Sequence, residues 1–457
     1  MGDSSTPARP FSGRVGRWDE KGRQRDMSGR WPARAAALTL ASLLLAACSA
    51  GAPSERPRGS GPSAPGPAPT AQRLPDGVTF TRTTRTLDDG APLRLSVLTV
   101  ARDAPVWIRA EHGDGVAQVD TVTALARRAG AAAAVNGTFF DAEAPRDTGD
   151  PLGLYVAGGA LLSEAANGRT ALVLPARDKP AHITELSSVS RVTTDHGVSR
   201  PVDGTNRTPG RIFGCGGTGG DRLGGIGPPV TAPRPGQVCT DQDELVEFTT
   251  EWGVSTPVGV RGSVEALLDA RSTVTGLRSP AGGPLPQDGR SLIGTGSAAH
   301  WLRENARTGH GLTVSATMAD REGREVPIKG SSVLGAGPAL VRSGRIMINA
   351  AANGVSAGAS GTRAPRTVAG IRADGALLLV VLDGRRPGVS EGATLIEAAR
   401  EVRALGAVEA MNLDGGGSST MVVRDRVMNS PSDPGRTDED RQREVSNAIV
   451  VVPEPHR

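Results

Sequence analysis

The chain has 457 residues, 37% of them apolar, and carries 52 Lys and Arg against 48 Asp and Glu, a formal charge of +4. That excess belongs to residues 1–47, which hold eight basic and four acidic side chains, so the remainder is formally neutral. Nucleic-acid binding needs a clustered positive field, and no nucleic-acid partner is expected of this chain.

Residues 1–47 read as a leader and signal peptide. Arg30 and Arg34 precede an apolar stretch of about ten residues, 38–47, the length of a secretory core and too short to span a bilayer. Met27 would start a signal of normal length. Leu45-Ala46-Ala47-Cys48 resembles the lipobox of bacterial lipoproteins, which implies cleavage before Cys48 and lipidation of its thiol. The protein is then expected to be exported and held to the outer face of the cell membrane through Cys48. Residues 48–75 are a Pro/Gly/Ser/Ala tether with nothing to bury.

Residues 76–453 are expected to form one large domain of α+β or α/β class, a mixed sheet with flanking helices. Its core should be aliphatic, since the chain has only 12 aromatic residues. Period-two apolar spacing over 78–110 predicts half-buried strands, with Asp88-Asp89-Gly90 as a hairpin turn. Val122, Leu125, Ala126 and Ala129 share one helix face, with Asp120 as the expected N-cap and Gly130 as the stop. The Gly/Pro-rich segment 205–243 is expected to be a long internal loop. Cys215 and Cys239 lie inside it, and in an exported chain such a pair reads as a disulfide, worth on the order of 3 kcal/mol by loop entropy.

The C-terminal half predicts a strand–helix–strand unit at 376–413. The apolar run 376–384 has the length of a strand buried on both faces, Gly388 or Ser390 opens a helix over 391–405, and a second strand ends at Leu413. A crossover makes the two strands parallel and sets Asp383 and Asp414 past the ends of neighbouring strands, the rim where open sheets bind ligands. Segments 127–136 and 403–412 resemble each other, each a helix end, a glycine and a strand ending in Asn.

Several chemistries are disfavoured. Gly388-Val389-Ser390-Glu391-Gly392 fits a nucleophile elbow, but of the six histidines only His456 follows it, so Ser390 is better read as a cap or contact. No P-loop and no His-Glu-x-x-His motif occurs. No cofactor is required by the sequence, and it leaves the need for a divalent metal open. What remains is carboxylate chemistry beside anion recognition. Gly415, Gly416, Gly417, Ser418 and Ser419 offer backbone N–H groups and hydroxyls as an anion nest next to Asp414, and Arg207 and Arg366 are cationic donors.

The ordered segments AAAVNGTFFD, GTNRTPGR, GSVEALL, APRTVAGIRADGALLLVVLDGR, MNLDGGGSSTMV and REVSNAIVV resemble the phosphodiester glycosidase family. The resemblance implies hydrolysis between a sugar anomeric carbon and a phosphodiester. It implies Asp414 and Glu265 as the carboxylate pair and a sugar-phosphate substrate. Asn136, Gly137, Asn206, Arg207, Arg366, Thr367, Asp383 and 415–419 would bind that substrate. Wall or capsule glycosyl phosphates fit the expected address. A non-catalytic module binding anionic wall glycans is the alternative, and Asp414 argues against it, because a carboxylate repels the anion.

Overall fold

The computed structural model describes residues 73–142, 148–176, 179–217, 219–433 and 442–455. The leader, Cys48 and all but the last residues of the tether lie outside them. The described residues cluster by contact into one unit.

Strands dominate that unit, and among the described strands all pairings but one are antiparallel. A seven-stranded sheet runs in the order Val78–Thr86, Pro92–Val100, Leu377–Leu382, Arg366–Arg372, Ala407–Asn412, Ala339–Arg342, Arg345–Ile346. The first two strands form the hairpin expected from the sequence, Val78 opposite Val100. Leu377–Leu382 is wholly apolar because both faces are covered. Leu377, Leu379 and Val381 face the main core, while Leu378, Val380 and Leu382 pack with Ala398, Ala399 and Val402 of the helix Leu395–Ala404.

The strand–helix–strand unit is present with a changed pairing. Leu377–Leu382 and Ala407–Asn412 point the same way, but Arg366–Arg372 lies between them and pairs antiparallel with both. The start of that middle strand therefore shares the rim with Asp383 and Asp414. The helix opens at Thr394, not at Gly388 or Ser390. Thr394 and Glu397 form a reciprocal capping box that satisfies two otherwise unpaired N–H groups. Ser390 is fully buried, donating to the Asp383 carbonyl at 2.7 Å and accepting from the Arg94 N–H at 3.0 Å.

A five-stranded sheet packs against the first, in the order Arg426–Val427, Met421–Val423, Ala133–Asn136, Asn447–Pro453, Val106–His112. The helix Val122–Ala129 covers its outer face through Val122, Leu125 and Ala126. Its cap is Thr121 rather than Asp120: the Thr121 hydroxyl accepts from the Ala124 N–H, and Gly130 ends the helix at φ 64°. Gly406, at φ 95°, makes the matching turn before Ala407–Asn412. The two similar segments thus fold alike, and each strand delivers an asparagine to the same region.

The 205–243 segment is not a plain loop. Ile212–Cys215, Arg234–Thr240 and Arg222–Leu223 form a three-stranded sheet, closed by the Cys215–Cys239 disulfide with Cα atoms 5.8 Å apart. Another sheet carries Val264–Leu268 beside Arg290–Gly294 and Val274–Arg278.

Candidate active site

Asp414 lies two residues past the strand Ala407–Asn412, where the two main sheets meet. Its position is fixed by backbone bonds: its N–H donates to the Gly137 carbonyl at 3.0 Å, and its carbonyl accepts from Asn136 Nδ2 at 2.7 Å. Asn136 is fully buried, and its Oδ1 accepts from the Thr367 hydroxyl at 2.7 Å and the Thr420 N–H at 3.1 Å. Thr367 orients the amide that orients Asp414. Gly137 allows no side chain, because a Cβ would overlap Asn447 Oδ1.

The Asp414 side chain is half-buried, and its Oδ1 accepts from the Gly415 N–H at 2.9 Å. Burial pushes its pKa up to about 6, against the opposing pull of Ser418, Arg443 and that N–H. The Ser418 hydroxyl is close enough to act on Asp414 yet lies outside good hydrogen-bond geometry. It opens a run of three consecutive buried hydroxyls, of which those of Ser419 and Thr420 have no protein partner. Native folds leave buried polar atoms unpaired mainly where water or a ligand meets them.

The glycines also meet local needs of the backbone. Gly416 adopts φ 61°, a left-handed conformation that favours glycine, and a Cβ on Gly417 would come within 2.5 Å of Asp433 Oδ1. The N–H groups of Gly415, Gly416, Ser418 and Ser419 are already donated to Asp414 Oδ1, Pro365, Gly415 and Gly416.

Three arginines gather at this turn. Arg366 donates to the carbonyls of Ala393, Ala359 and Thr362 at 2.8–3.0 Å, and burial with nearby Arg385 lowers its pKa to about 10. Much of its hydrogen-bonding capacity is spent on holding the 359–362 turn. Arg385 sits beside Gly416, and Arg443 pairs with Asp433 at 2.9 Å. Both lie at the edge of a segment that carries the family resemblance, Arg385 ending 364–385 and Arg443 opening 443–451, and neither is among the cationic donors expected from the sequence. Asp383 is buried, and its Oδ1 accepts from Asn429 Nδ2 at 3.2 Å and the Ser430 N–H at 3.0 Å. Burial raises its pKa. It secures the loop that carries Asp433.

Other expected site residues lie in different surroundings. Glu265, on Val264–Leu268, is fully buried. Burial alone would raise its pKa, but Arg278 at 2.7 Å, the Gly282 N–H and Ser291 outweigh that and hold it low. Thr256 also donates to it, at 3.0 Å. None of these partners contacts Asp414 by hydrogen bond.

Arg207 is buried between Glu164 at 2.6 Å and Glu244 at 2.5 Å. Burial opposes its charge, yet the two carboxylates outweigh that and raise its pKa. Asn206, at φ 54°, accepts from the Thr249 N–H at 2.8 Å and donates to Leu162 and Thr249. This pair clamps one turn to its neighbours.

The fold and this turn define a mostly β protein with one half-buried carboxylate set among hydroxyls and arginines. Residues 259–452 match the phosphodiester glycosidase family, which bears out the resemblance carried by the sequence motifs. No curated protein matches the chain. Among solved structures, an exported protein of Burkholderia pseudomallei K96243 is 29% identical with a TM-score of 0.70, over 80% of this chain and 74% of that one. A hypothetical protein from Synechocystis is 23% identical with a TM-score of 0.63, over 82% of this chain and 62% of that one, and shares the fold. Among the described residues no helix is long and apolar enough to cross a membrane.

Proposed function

We propose that this chain is an exported, lipid-anchored glycosidase that hydrolyses the bond between a sugar anomeric carbon and a phosphodiester on cell-surface or extracellular glycosyl phosphates. The observation that carries this reading is Asp414, its pKa raised to about 6, close to the buried Ser418 hydroxyl and the Arg443 guanidinium, with Arg385 next to Gly416 and two buried hydroxyls, of Ser419 and Thr420, that have no protein partner. The family match supports the reaction class.

A phosphate group leaves as a weak base, so the reaction asks less for an acid than for a carboxylate at the cationic anomeric centre. Asp414 supplies that carboxylate above about pH 6. The bond from the anomeric carbon to the phosphate oxygen breaks with its electron pair going to phosphate. Water adds to carbon and gives its proton to the departing phosphate, which leaves as a phosphomonoester. Ser418, Ser419 and Thr420 donate to sugar or phosphate oxygens, and Arg385 and Arg443 offset the charge of the leaving group. Glu265, held ionised by Arg278, supports the neighbouring sheet in this account.

The test is release of free sugar from α- and β-glycosyl phosphodiesters by the wild type and Asp414→Asn. Turnover lost in the variant supports the reading. Binding of a glycosyl phosphate without turnover of any panel member favours the wall-glycan binding module instead.

A further inference from the structure

The strands His182–Thr194 and Ser199–Val202 form a hairpin whose turn is Asp195-His196-Gly197-Val198. Leu312–Asp320 lies antiparallel to His182–Thr194 with Leu312 opposite Thr194. Continued by two residues, that register sets His310 opposite His196, and the Asp195 N–H donating to the Gly311 carbonyl at 3.2 Å shows that the strands stay together there. The Asp195 carboxylate lies between the two rings. Its Oδ2 is 2.9 Å from His310 Nδ1 and its Oδ1 is 3.5 Å from His196 Nε2, with the ring centroids 5.7 Å apart.

We propose that Asp195, His196 and His310 form a surface site for a divalent transition-metal ion of the zinc class. One ligand atom from each residue lies within 4.8 Å of the other two. Two ligands at 2.0–2.1 Å from a tetrahedral centre are about 3.3 Å apart, and each ring nitrogen has an Asp195 oxygen near that distance, Oδ2 for His310 and Oδ1 for His196. All three side chains are exposed and free to rotate toward a shared ion. Two imidazoles and one carboxylate suit zinc, nickel or copper(II) rather than calcium or magnesium, which take oxygen ligands. The fourth position faces solvent and takes water. A bound ion would fasten the hairpin turn to the start of Leu312–Asp320, joining Asp195 to a residue 115 positions away. The proposal does not depend on the reaction at Asp414.

The test is titration of the metal-free full chain with Co²⁺, followed by absorption, and displacement by Zn²⁺. The expected result is a visible band saturating at one equivalent, abolished by Zn²⁺ and retained in the exposed-surface control His300→Ala. His196→Ala and His310→Ala should each weaken binding by more than the roughly 10–100-fold that follows loss of an outer-shell partner. Zn²⁺ should raise Tm in the wild type and not in His196→Ala/His310→Ala. Absence of a saturable one-equivalent band, or a band undiminished in the double variant, would overturn the proposal.

Discussion

Asn136 donates its side-chain amide to the backbone carbonyl of Asp414 at 2.7 Å, joining residues 278 positions apart at the ends of strands from two different sheets. That bond places the carboxylate, and the Thr367 hydroxyl and Thr420 N–H on Asn136 Oδ1 fix which way the amide points. Asn136→Ala would leave the Thr367 hydroxyl and the Thr420 N–H unpaired in a buried site. A loss of about 1–3 kcal/mol in stability is expected for each donor stranded, together with a loss of turnover. Urea unfolding followed alongside sugar release checks both.

Glu265 and Asp414 should respond differently to neutralisation. Glu265→Gln weakens the bonds to Arg278 and the Gly282 N–H in a buried setting, so about 1.5–3 kcal/mol of stability should be lost while kcat/KM changes little. The folded-state pKa of Glu265 is depressed, so its contribution is present above its unfolded value of about 4.3 and fades as pH falls below that. Chemical denaturation at pH 7 and pH 3 measures the difference. A drop in kcat/KM of Glu265→Gln equal to that of Asp414→Asn would restore the paired-carboxylate mechanism.

Arg207 should behave as a structural ion. Arg207→Ala leaves Glu164 and Glu244 buried without their partner, and a destabilisation of about 3–5 kcal/mol is expected. A phosphate-holding arginine would instead raise KM and leave Tm unchanged.

Asp203, beside this cluster, has its pKa raised to about 7, chiefly by burial. The folded chain then binds its proton more tightly than the unfolded chain, so stability falls as pH rises from about 4 toward 7. Asp203→Asn can keep the acceptor for the Leu245 N–H and should flatten that fall. Tm measured across pH 4–8 for both proteins decides it.

Much of the framework was legible in the sequence because apolar periodicity reports burial directly. The first hairpin, the buried run at 377–382, the helix stopped at Gly130 and the strand ending before Asp414 all follow from it. Helix starts were less legible: Asp120 and Thr121 are both good caps, and Thr394 becomes the cap because Glu397 completes its box. The intervening strand Arg366–Arg372 could not be read from a strand–helix–strand pattern, which fixes direction and not adjacency. Charged residues were the least legible. Whether Arg207 meets a ligand or Glu164 and Glu244 depends on partners some 40 residues away, and whether Gly417 admits a ligand or Asp433 depends on a loop outside the motif.

Asp414, as the ionised carboxylate of a glycosyl phosphodiester hydrolase, should set the pH dependence of the reaction. The most direct test is kcat/KM against pH, from 4.5 to 8.5 as chosen assay limits, for wild type and Asp414→Asn on whichever phosphodiester the wild type cleaves. The wild-type rate should rise through an apparent pKa of about 6 and then level off. Asp414→Asn should lose about 10²-fold or more, with no limb at that pH. A variant within a few-fold of wild type, or a wild-type rate that falls through pH 6, would contradict that role of Asp414.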